Sequence, residues 1–412
     1  AVVGVYLVPP AGLAAVAAFA LQPLVALAGS AMRPRGLALY AAARPVVDLA
    51  GAVGPAAPAA RPVPPPELRH AYAELLAGGT ARFFEPRQAA CPVCNHTALG
   101  TALRARDRWQ WKPGQFSLDR CEACGHVFQN PRLSVEGLGF YYRDFYDGLG
   151  EARLERMFSS DRQPYLARAR MVEAVHTPRR WLDVGAGHGH FCGVLKDLFP
   201  AARFDGLDLS DSIDDAVRRR WIDRGYRGLF PALAPALAES EAPYDVVSMS
   251  HYLEHTRDPR AELEAAAQVM SEGGILLIEV PDPDCRIGRL LGSLWLPWFQ
   301  PQHQHLLSTR NLERLLREAA FEPIEWHRGE AHQTVDLTFA AYSLVDAVAG
   351  QLDLPWRPES TPFARVWHQL VWTLAFPLLL GGWLLDRLVA PLLRRPGWSN
   401  TYRVVARRVA AC

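Results

Sequence analysis

Between residues 180 and 281, short runs of apolar residues alternate with segments whose apolar positions recur at helical spacing. The apolar runs have the length of buried strands and cover residues 181–184, 203–209, 244–250 and 275–281. The helical patterns cover residues 191–198 and 258–270, and the second has Asp258 as its N-cap and Pro259 at its first position. Strands that alternate with helices in this way predict an α/β domain with a largely parallel sheet.

The first apolar run leads into Asp183-Val-Gly-Ala-Gly-His-Gly-His-Phe191, in which three glycines alternate with other residues. Glycine lets the backbone turn tightly and approach a ligand closely, and the helix that follows directs its free N–H groups at that point. The dinucleotide pattern G-x-G-x-x-G does not fit, because its last position is His190 or Cys192, depending on the register. Asp208 ends the next run, about twenty residues on, where an acid accepts hydrogen bonds from ribose hydroxyls in βαβ nucleotide folds.

The ordered motifs D-x-G-x-G-x-G, D-V-V, L-E-H, D-P and G-G-I-L-L-I-E-V-P resemble motifs I and IV to VI of class I S-adenosylmethionine (SAM) methyltransferases, over residues 180–345. The resemblance implies a Rossmann-like α/β fold with a seven-stranded, mostly parallel sheet. Its last strands would be residues 323–327 and an antiparallel strand at 334–342. Residues 226–235 depart from the family because they carry no acidic residue for the adenine. The cofactor is predicted to be SAM, bound by Asp183, Gly185, Ala186, Gly187, His188, Gly189, Phe191, Asp208, Leu209, Ser210 and Ser250.

Two groups of polar residues are candidates for catalysis. Methyl transfer from a sulfonium is an in-line displacement, and an oxygen or acidic carbon acceptor also needs a base that removes its proton. His251, Glu254 and His255 follow an apolar run, and ligands bind beyond the carboxyl ends of such strands. His303 and His305 form the second group. Histidine titrates near neutral pH, so all five residues are predicted to be catalytic, with His255 and His305 first. The alternative is that each histidine only orients a loop.

The seven cysteines include two Cys-x-x-Cys pairs that are separated by 26 residues. Zinc in structural sites binds four thiolates in a tetrahedron, so Cys91, Cys94, Cys121 and Cys124 predict structural Zn²⁺ in a zinc-ribbon-like module. A ribbon that has lost its metal is the alternative. Four thiolates leave no open position, so this metal is not expected to be catalytic. Such a ribbon is similar to the N-terminal module of many bacterial methyltransferases. The cysteine pattern is not a secreted disulfide framework and favours a reducing compartment.

Composition and motifs divide the chain into four segments. Residues 1–66 are an apolar N-terminal segment with a Pro/Ala-rich linker, and residues 67–150 are the zinc-ribbon-like module. Residues 151–345 are the methyltransferase domain, and residues 346–412 are an apolar and basic C-terminal segment.

Three apolar segments raise the question of a membrane. Residues 11–28 just reach the roughly twenty apolar residues that a membrane helix needs, although an Ala-rich packing helix is equally consistent. The arginines that follow them indicate a cytoplasmic enzyme, either free or attached to the cytoplasmic face of the membrane. Residues 370–385 fit a helix in the membrane interface or a subunit contact. The apolar loop 290–299 predicts a lid over the acceptor or a lipid contact.

Together these features predict a SAM-dependent methyltransferase that acts on a small-molecule or lipid-linked acceptor, such as a sugar or a polyketide-like metabolite. One alternative is an rRNA or tRNA methyltransferase, and another is a zinc scaffold that binds SAM without transferring the methyl group. A net charge of +1 disfavours a nucleic acid partner, and the motif IV loop lacks the Asn/Asp-Pro-Pro-Tyr pattern of many base methylators. The methylated atom and the oligomeric state do not follow from the sequence.

Overall fold

The computed structural model describes residues 64–143, 162–240, 242–329 and 331–410. The described residues form two compact units, and the first contains residues 64–75 together with Val335–Leu388. The second contains the described residues between Leu76 and Thr334 together with residues 389–410. The predicted division of the chain at 66, 150 and 345 stays a prediction. The predicted apolar segment 11–28, and all but the last three residues of the linker 54–66, lie outside the described residues.

The strands of the second unit are numbered along the chain. They are β1 (Leu99–Ala105), β2 (Phe116–Cys121), β3 (Val127–Gln129), β4 (Arg180–Val184), β5 (Arg203–Asp208), β6 (Arg224–Arg227), β7 (Tyr244–Ser250), β8 (Met270–Pro281), β9 (His305–Leu306), β10 (Phe321–Arg328) and β11 (Thr401–Arg408). A small antiparallel sheet has the order β1-β2-β3-β9, and a larger sheet has the order β10-β11-β8-β7-β4-β5-β6. The small sheet therefore combines three strands of the cysteine-containing region with one strand from beyond β8.

The larger sheet is mixed. Strands β8, β7, β4, β5 and β6 are parallel neighbours, whereas β11 runs antiparallel to both β8 and β10. The α/β fold is confirmed, and β10 contains the strand predicted at 323–327. The strand predicted at 334–342 is wrong, because these residues begin a helix at Asp336 whose buried positions recur at helical spacing. The strand that lies between β8 and β10 is instead β11, in which Val404, Val405 and Ala406 are fully buried.

The helices are also numbered along the chain. They are α1 (Pro66–Ala77), α2 (Val135–Tyr142), α3 (Gln163–Glu173), α4 (His190–Leu198), α5 (Ser212–Arg218), α6 (Phe230–Ser240), α7 (Pro259–Val269), α8 (Arg286–Leu291), α9 (Thr309–Glu318), α10 (Asp336–Ala349) and α11 (Pro362–Leu393). Asp258 caps α7 as predicted, since its side chain accepts hydrogen bonds from the backbone N–H groups of Arg260 and Ala261. The chain passes from α7 directly into β8 at Met270, the last residue of the predicted helix.

Apolar side chains cover both faces of the larger sheet. In β8, Leu276 and Ile278 belong to one cluster, whereas Ile275 and Leu277 belong to the other, as the two-residue period of a strand requires. Residues of α6, α7 and α9 complete the first cluster, and residues of α3, α4 and α5 complete the second. Cys91 is part of the first cluster, so the cysteine-containing region packs directly against this core.

In the first unit, α10 and α11 pack through a small apolar cluster that includes Val345, Trp372 and Leu379. The buried carboxylate of Asp386 accepts hydrogen bonds from the backbone N–H groups of Leu337 and Thr338, at 3.0 and 2.8 Å. A carboxylate at a helix N-terminus satisfies free N–H groups and the helix dipole. The beginning of α10 is therefore fixed to α11.

Candidate active site

The three alternate glycines form a tight bend between β4 and α4. Gly185, Gly187 and Gly189 have φ values of +79°, +51° and +77°, which favour glycine. The backbone N–H groups of Gly185 and Ala186 donate to the carbonyl of Leu207, at 2.8 and 3.1 Å. A Cβ on Gly185 would lie 2.7 Å from the ring of Tyr252. The bend is thus fastened to β5 on one side and closely covered by Tyr252 on another.

Asp208 is held rigidly at the end of β5 beside this bend. One carboxylate oxygen accepts a hydrogen bond from Gly187 N at 2.9 Å. The other accepts from the backbone N–H and the hydroxyl of Ser210, at 2.8 and 2.7 Å. These contacts fix the carboxylate without fully burying it. The Asp208 carboxylate lies at the end of the second strand of the βαβ unit, the position from which an acid binds the ribose in nucleotide folds of this type.

Asp183 lies deeper, at the end of β4. Its carboxylate accepts a hydrogen bond from Ser248 Oγ at 2.5 Å, and Ser248 in turn accepts from Trp181 Nε1 at 2.7 Å. Burial raises the pKa of Asp183 to about 6. The side chain therefore connects β4 and β7 underneath the bend.

The other residues predicted to bind the cofactor differ in their surroundings. Ala186 and His188 lie on the partly exposed bend, and Leu209 is exposed. Ser250 ends β7, and its buried hydroxyl has no hydrogen-bond partner among the described residues. Phe191 differs from the prediction, because its side chain packs in the core against Trp181, with ring centroids 5.8 Å apart. Only the backbone of Phe191 remains available to a cofactor.

A second polar cluster lies beyond the carboxyl end of β7. Glu254, His255 and His303 each direct one potential ligand atom to a common point, and these atoms lie within 4.8 Å of one another. The rings of His255 and His303 meet edge to face at 4.6 Å between centroids. Tyr142 Oη, at the end of α2, lies 2.8 Å from His255 Nδ1. The cluster thus joins the turn after β7, the segment before β9 and the last residue of α2.

Gln304 holds the two histidine-bearing segments together. Its backbone N–H donates to the carbonyl of Glu254 at 2.8 Å, and its side-chain Nε2 donates to the carbonyl of His255 at 3.2 Å. Its Oε1 accepts a hydrogen bond from Leu133 N at 3.1 Å. Gln304 and Tyr142 were not predicted to be site residues. The density of polar residues at 300–305 was the only sequence signal for Gln304.

The protonation of the cluster follows from its contacts. His251 lies between two carboxylates, with Nδ1 3.2 Å from Glu254 Oε1 and Nε2 2.9 Å from Glu279 Oε1. Although burial lowers the pKa of His251, the hydrogen bonds to Glu254 and Glu279 raise it to about 9. His251 is thus held between two carboxylates, and this geometry favours the alternative in which the histidine orients the chain. Burial lowers the pKa of His255, and it lowers the pKa of His303 to about 3.

His305 is engaged elsewhere. It lies buried in β9, with Nδ1 3.2 Å from His126 Nε2 and Nε2 3.4 Å from the carbonyl of Arg257. Both ring nitrogens have a partner, so no nitrogen is left to take a proton from an acceptor. The geometry favours the alternative reading of this residue, in which the histidine orients the chain.

The four paired cysteines lie together beside the small sheet. Cys91 Sγ is 3.6 Å from Cys124 Sγ, and Cys94 Sγ is 3.5 Å from Cys121 Sγ. All four sulfur atoms lie within 4.8 Å of one another. Thiolates around a tetrahedral zinc ion, with Zn–S of ~2.3 Å, are ~3.8 Å apart. The donor set and its dimensions therefore fit such an ion.

The apolar loop 290–299 packs against the small sheet. Trp295 is buried in a cluster that contains Leu118 of β2 and Leu306 of β9. Arg108 donates a hydrogen bond to the carbonyl of Ser293 at 2.6 Å. The prediction that this loop is a lid or a lipid contact is therefore wrong for Trp295, which is part of the core.

Comparison with known proteins agrees with these features. Residues 157–325 match the family model described as "Methyltransferase domain". A ubiquinone biosynthesis O-methyltransferase from Idiomarina loihiensis is 28% identical over 155 residues, which are 35% of this chain and 63% of that protein. A malonyl-[acyl-carrier protein] O-methyltransferase from Laribacter hongkongensis is 33% identical over 118 residues, which are 26% of this chain and 39% of that protein.

A solved SAM-dependent methyltransferase from Archaeoglobus fulgidus superposes with a TM-score of 0.40 at 17% identity, covering 63% of this chain and 100% of that one. This chain spans less than two thirds of the length of the two curated relatives. The segment that matches the methyltransferase family contains the glycine bend, Asp208 and strands β4 to β8. The chain therefore carries a class I SAM-dependent methyltransferase domain.

Proposed function

We propose that the protein transfers the methyl group of SAM to an oxygen atom of a small-molecule or lipid-linked metabolite, such as a sugar or a polyketide-like compound. One observation carries this proposal. The glycine bend follows β4, the cluster of Glu254, His255 and His303 lies beyond β7, and β4 and β7 are parallel neighbours. Tyr252 belongs to the turn that carries Glu254, and its ring covers Gly185. The donor site and the polar cluster are therefore adjacent.

Each part of this arrangement has a task in the reaction. Transfer breaks the S–CH₃ bond of SAM and forms an O–CH₃ bond, which leaves S-adenosylhomocysteine and requires the acceptor oxygen to lose its proton. The bend and Asp208 would hold the donor in place. The cluster would hold the acceptor oxygen opposite the methyl group and accept its proton. Gln304 and Tyr142 keep the cluster in position.

The choice of oxygen has support from the relatives. Both curated relatives named above are O-methyltransferases by name, and one of them acts on malonyl-[acyl-carrier protein]. A neutral hydroxyl acceptor needs a nearby proton acceptor, and the cluster after β7 offers a carboxylate and two imidazoles.

Replacing Asp208 by asparagine is expected to weaken S-adenosylhomocysteine binding roughly 10- to 100-fold, because hydrogen bonds to a charged group contribute ~1.5–3 kcal/mol each. Isothermal titration calorimetry measures this change. Asp214→Asn is the matched control, since Asp214 is exposed on α5 and should leave the affinity unchanged. If the wild-type protein gives no heat with S-adenosylhomocysteine, the assignment of the donor site is wrong. Labelled SAM with a panel of hydroxyl and carboxyl metabolites tests the transfer itself.

We also propose that Cys91, Cys94, Cys121 and Cys124 hold a structural Zn²⁺. The four sulfur atoms have the spacing of a tetrahedral thiolate site, and no open position would remain for a substrate. The cysteines that the structure describes form no disulfide bond with one another, which supports a reducing compartment such as the cytoplasm.

A third proposal is that α11 attaches the protein to the cytoplasmic face of a membrane. Among the described residues, α11 is the helix with the length and apolar composition of a membrane span, and 22% of its most apolar window is buried. Trp372, Leu379 and Asp386 lie on the face that packs against α10. The opposite face carries the following exposed apolar residues: Phe363, Val366, Trp367, Leu370, Leu374, Leu378, Leu384, Leu385 and Leu388.

At ~100° per residue these positions all fall on one side of the helix, so they form one stripe that is ~38 Å long at ~1.5 Å per residue. The stripe contains no charged residue, and Arg387 stacks on Trp383 beside it at 4.1 Å. An apolar stripe with an arginine and a tryptophan near one end suits a surface with anionic lipids. A lipid surface would also bring a lipid-linked acceptor to the enzyme.

Vesicle flotation tests this attachment. The wild-type protein is expected to float with vesicles of phosphatidylcholine and phosphatidylglycerol, whereas Leu374→Asp with Leu378→Asp should remain in the dense fraction. Leu290→Asp, which changes an equally exposed leucine in the other unit, is the matched control and should float. A wild-type protein that stays in the dense fraction, or that dimerises through this face, would contradict the proposal.

A further inference from the structure

We infer that Glu254, His255 and His303 bind a divalent first-row transition-metal ion that activates the acceptor oxygen. The inference rests on the proposed methyl transfer for its role in the reaction, but the metal site itself rests on the contacts of these three side chains. It is distinct from the four-cysteine site, whose ligands are all sulfur.

The hydrogen bond of His303 fixes its tautomer. Nδ1 lies 2.9 Å from the carbonyl oxygen of Pro297, which can only accept a hydrogen bond. Nδ1 therefore carries the proton of the neutral ring, and Nε2 presents a lone pair. Metal-bound histidines commonly donate their other N–H to a backbone carbonyl in this way.

A short chain of contacts is compatible with the same tautomer for His255. Tyr142 Oη lies 3.3 Å from the carbonyl oxygen of Gln302 and 2.8 Å from His255 Nδ1. Tyrosine has a single proton, and both contacts are hydrogen bonds when the carbonyl accepts it. The phenol oxygen then accepts from His255 Nδ1–H, so Nε2 of His255 also presents a lone pair.

Glu254 supplies the third ligand and the strongest indication that something binds here. The residue is 1% exposed, and its Oε1 is held by His251 Nδ1 at 3.2 Å. Its Oε2 is buried and has no hydrogen-bond partner among the described residues. A buried carboxylate oxygen without a partner is costly, whereas a cation between Oε2 and the two Nε2 lone pairs would satisfy all three groups.

The ligand set indicates the class of ion and its role. Two imidazoles and one carboxylate suit divalent ions such as Fe²⁺, Mn²⁺, Co²⁺ or Zn²⁺. Three protein ligands leave open positions, as catalytic sites require. With the ion bound, the three side chains act as its ligands and no longer as the base that accepts the proton. A hydroxyl of the acceptor would bind at an open position, where the ion lowers its pKa and the proton leaves to solvent. The resulting oxygen anion attacks the methyl carbon of SAM, the C–S bond breaks, and S-adenosylhomocysteine departs.

Manganese is the probe, because Mn²⁺ prefers carboxylate and imidazole ligands to the thiolates of the cysteine site and its free form is visible by electron paramagnetic resonance. The wild-type protein is expected to bind one equivalent of Mn²⁺. His303→Ala and Glu254→Gln should weaken this binding roughly 100-fold or more, since even the partners of metal ligands contribute ~10- to 100-fold. Both variants should still bind S-adenosylhomocysteine, which also shows that they are folded.

His176→Ala is the matched control, because His176 also lies beside a carboxylate, with Nε2 3.3 Å from Asp245 Oδ2, but at a different site. Its Mn²⁺ binding should equal that of the wild-type protein. The inference is overturned if the wild-type protein leaves millimolar Mn²⁺ free, or if His303→Ala binds Mn²⁺ as well as the wild type does. Mn²⁺ binding without any S-adenosylhomocysteine binding would instead overturn the proposed function and leave the metal site standing.

Discussion

Replacing Glu279 by glutamine is expected to lower the free energy of unfolding by about 3–5 kcal/mol, because it leaves buried cations without their anion. Glu279 is 1% exposed near the end of β8. Arg168 donates to its two oxygens at 3.0 and 2.5 Å, and the fully buried Arg403 donates to Oε2 as well. Glutamine has the same shape but no charge, so both buried guanidinium groups would lose the negative charge of Glu279.

The same substitution acts on the polar cluster. His251 contacts both Glu279 and Glu254, so the loss of one carboxylate lowers the pKa of His251 and loosens its hold on Glu254. Glu279 therefore links the stability of the larger sheet to the position of Glu254.

Urea denaturation followed by circular dichroism measures the loss of stability. Asp197→Asn is the control, because it removes an equally short ion pair, Arg162 to Asp197 at 2.7 Å, in which both side chains are more than half exposed. An exposed pair contributes about 0–1 kcal/mol, so this variant should be nearly as stable as the wild type. Equal losses in the two variants would show that the buried network is not what stabilises the sheet.

The sequence predicted those parts of the fold and site that depend on neighbouring residues. The bend at Gly185, Gly187 and Gly189, the acid at Asp208 and the cap at Asp258 each arise from residues that lie close together in the chain. Glycine adopts positive φ more readily than other residues, and an aspartate at an N-cap accepts hydrogen bonds from free N–H groups. Both properties can be recognised from a few consecutive residues. The strand β7 and the turn after it were equally local, which placed Glu254 and His255 at the edge of the sheet.

Contacts between distant residues could not be predicted in this way. The inserted strand β11 lies between β8 and β10 because its buried run matches two strands that are far from it in the chain, and Arg403 meets Glu279 across 124 positions. Tyr142 and His255 are separated by 113 positions. Nothing within residues 300–305 distinguishes His303 from His305. The difference arises because β9 pairs with β3 and brings His305 to His126.

The loop 290–299 is a second case in which a contact between distant residues could not be predicted from the sequence. A run of leucines and tryptophans predicts a surface function only if it stays exposed. In the structure the small sheet covers Trp295, and Leu291 and Trp298 pack against the same cluster, whereas Leu290 stays exposed. Whether the loop is buried depends on the element that packs against it. Here that element is the small sheet, most of whose strands belong to the cysteine-containing region, far from the loop in the chain.

Replacing Cys121 by serine is expected to remove the zinc and unfold the small sheet. Structural zinc contributes ~10–16 kcal/mol of binding free energy in peptides that fold around it, and loss of a thiolate forfeits most of this. Cys121 is the last residue of β2. Its carbonyl accepts a hydrogen bond from Gly125 N at 2.9 Å, which closes the turn that carries Cys121 and Cys124. The proposed metal would therefore fix the end of a strand that pairs with both β1 and β3.

The consequences should differ between the two sheets. Strand β9 pairs with β3 of the small sheet, so His303, which lies just before β9, should lose its position, and methyl transfer should fall with it. The bend and Asp208 belong to the larger sheet, so S-adenosylhomocysteine binding should persist within a few-fold. Metal analysis, thermal melting and calorimetry on the same preparation separate these effects.

Cys285→Ser is the matched control for this experiment. Cys285 is also buried, but it caps α8 by accepting a hydrogen bond from Gly288 N at 3.3 Å, a task that serine performs well. This variant should keep its zinc, its melting temperature and its activity. Zinc that remains bound in Cys121→Ser, or melting of both variants at the same temperature, would contradict a structural metal at the four cysteines. A Cys121→Ser protein that loses zinc yet transfers methyl groups at the wild-type rate would show instead that β9 holds His303 without help from the small sheet.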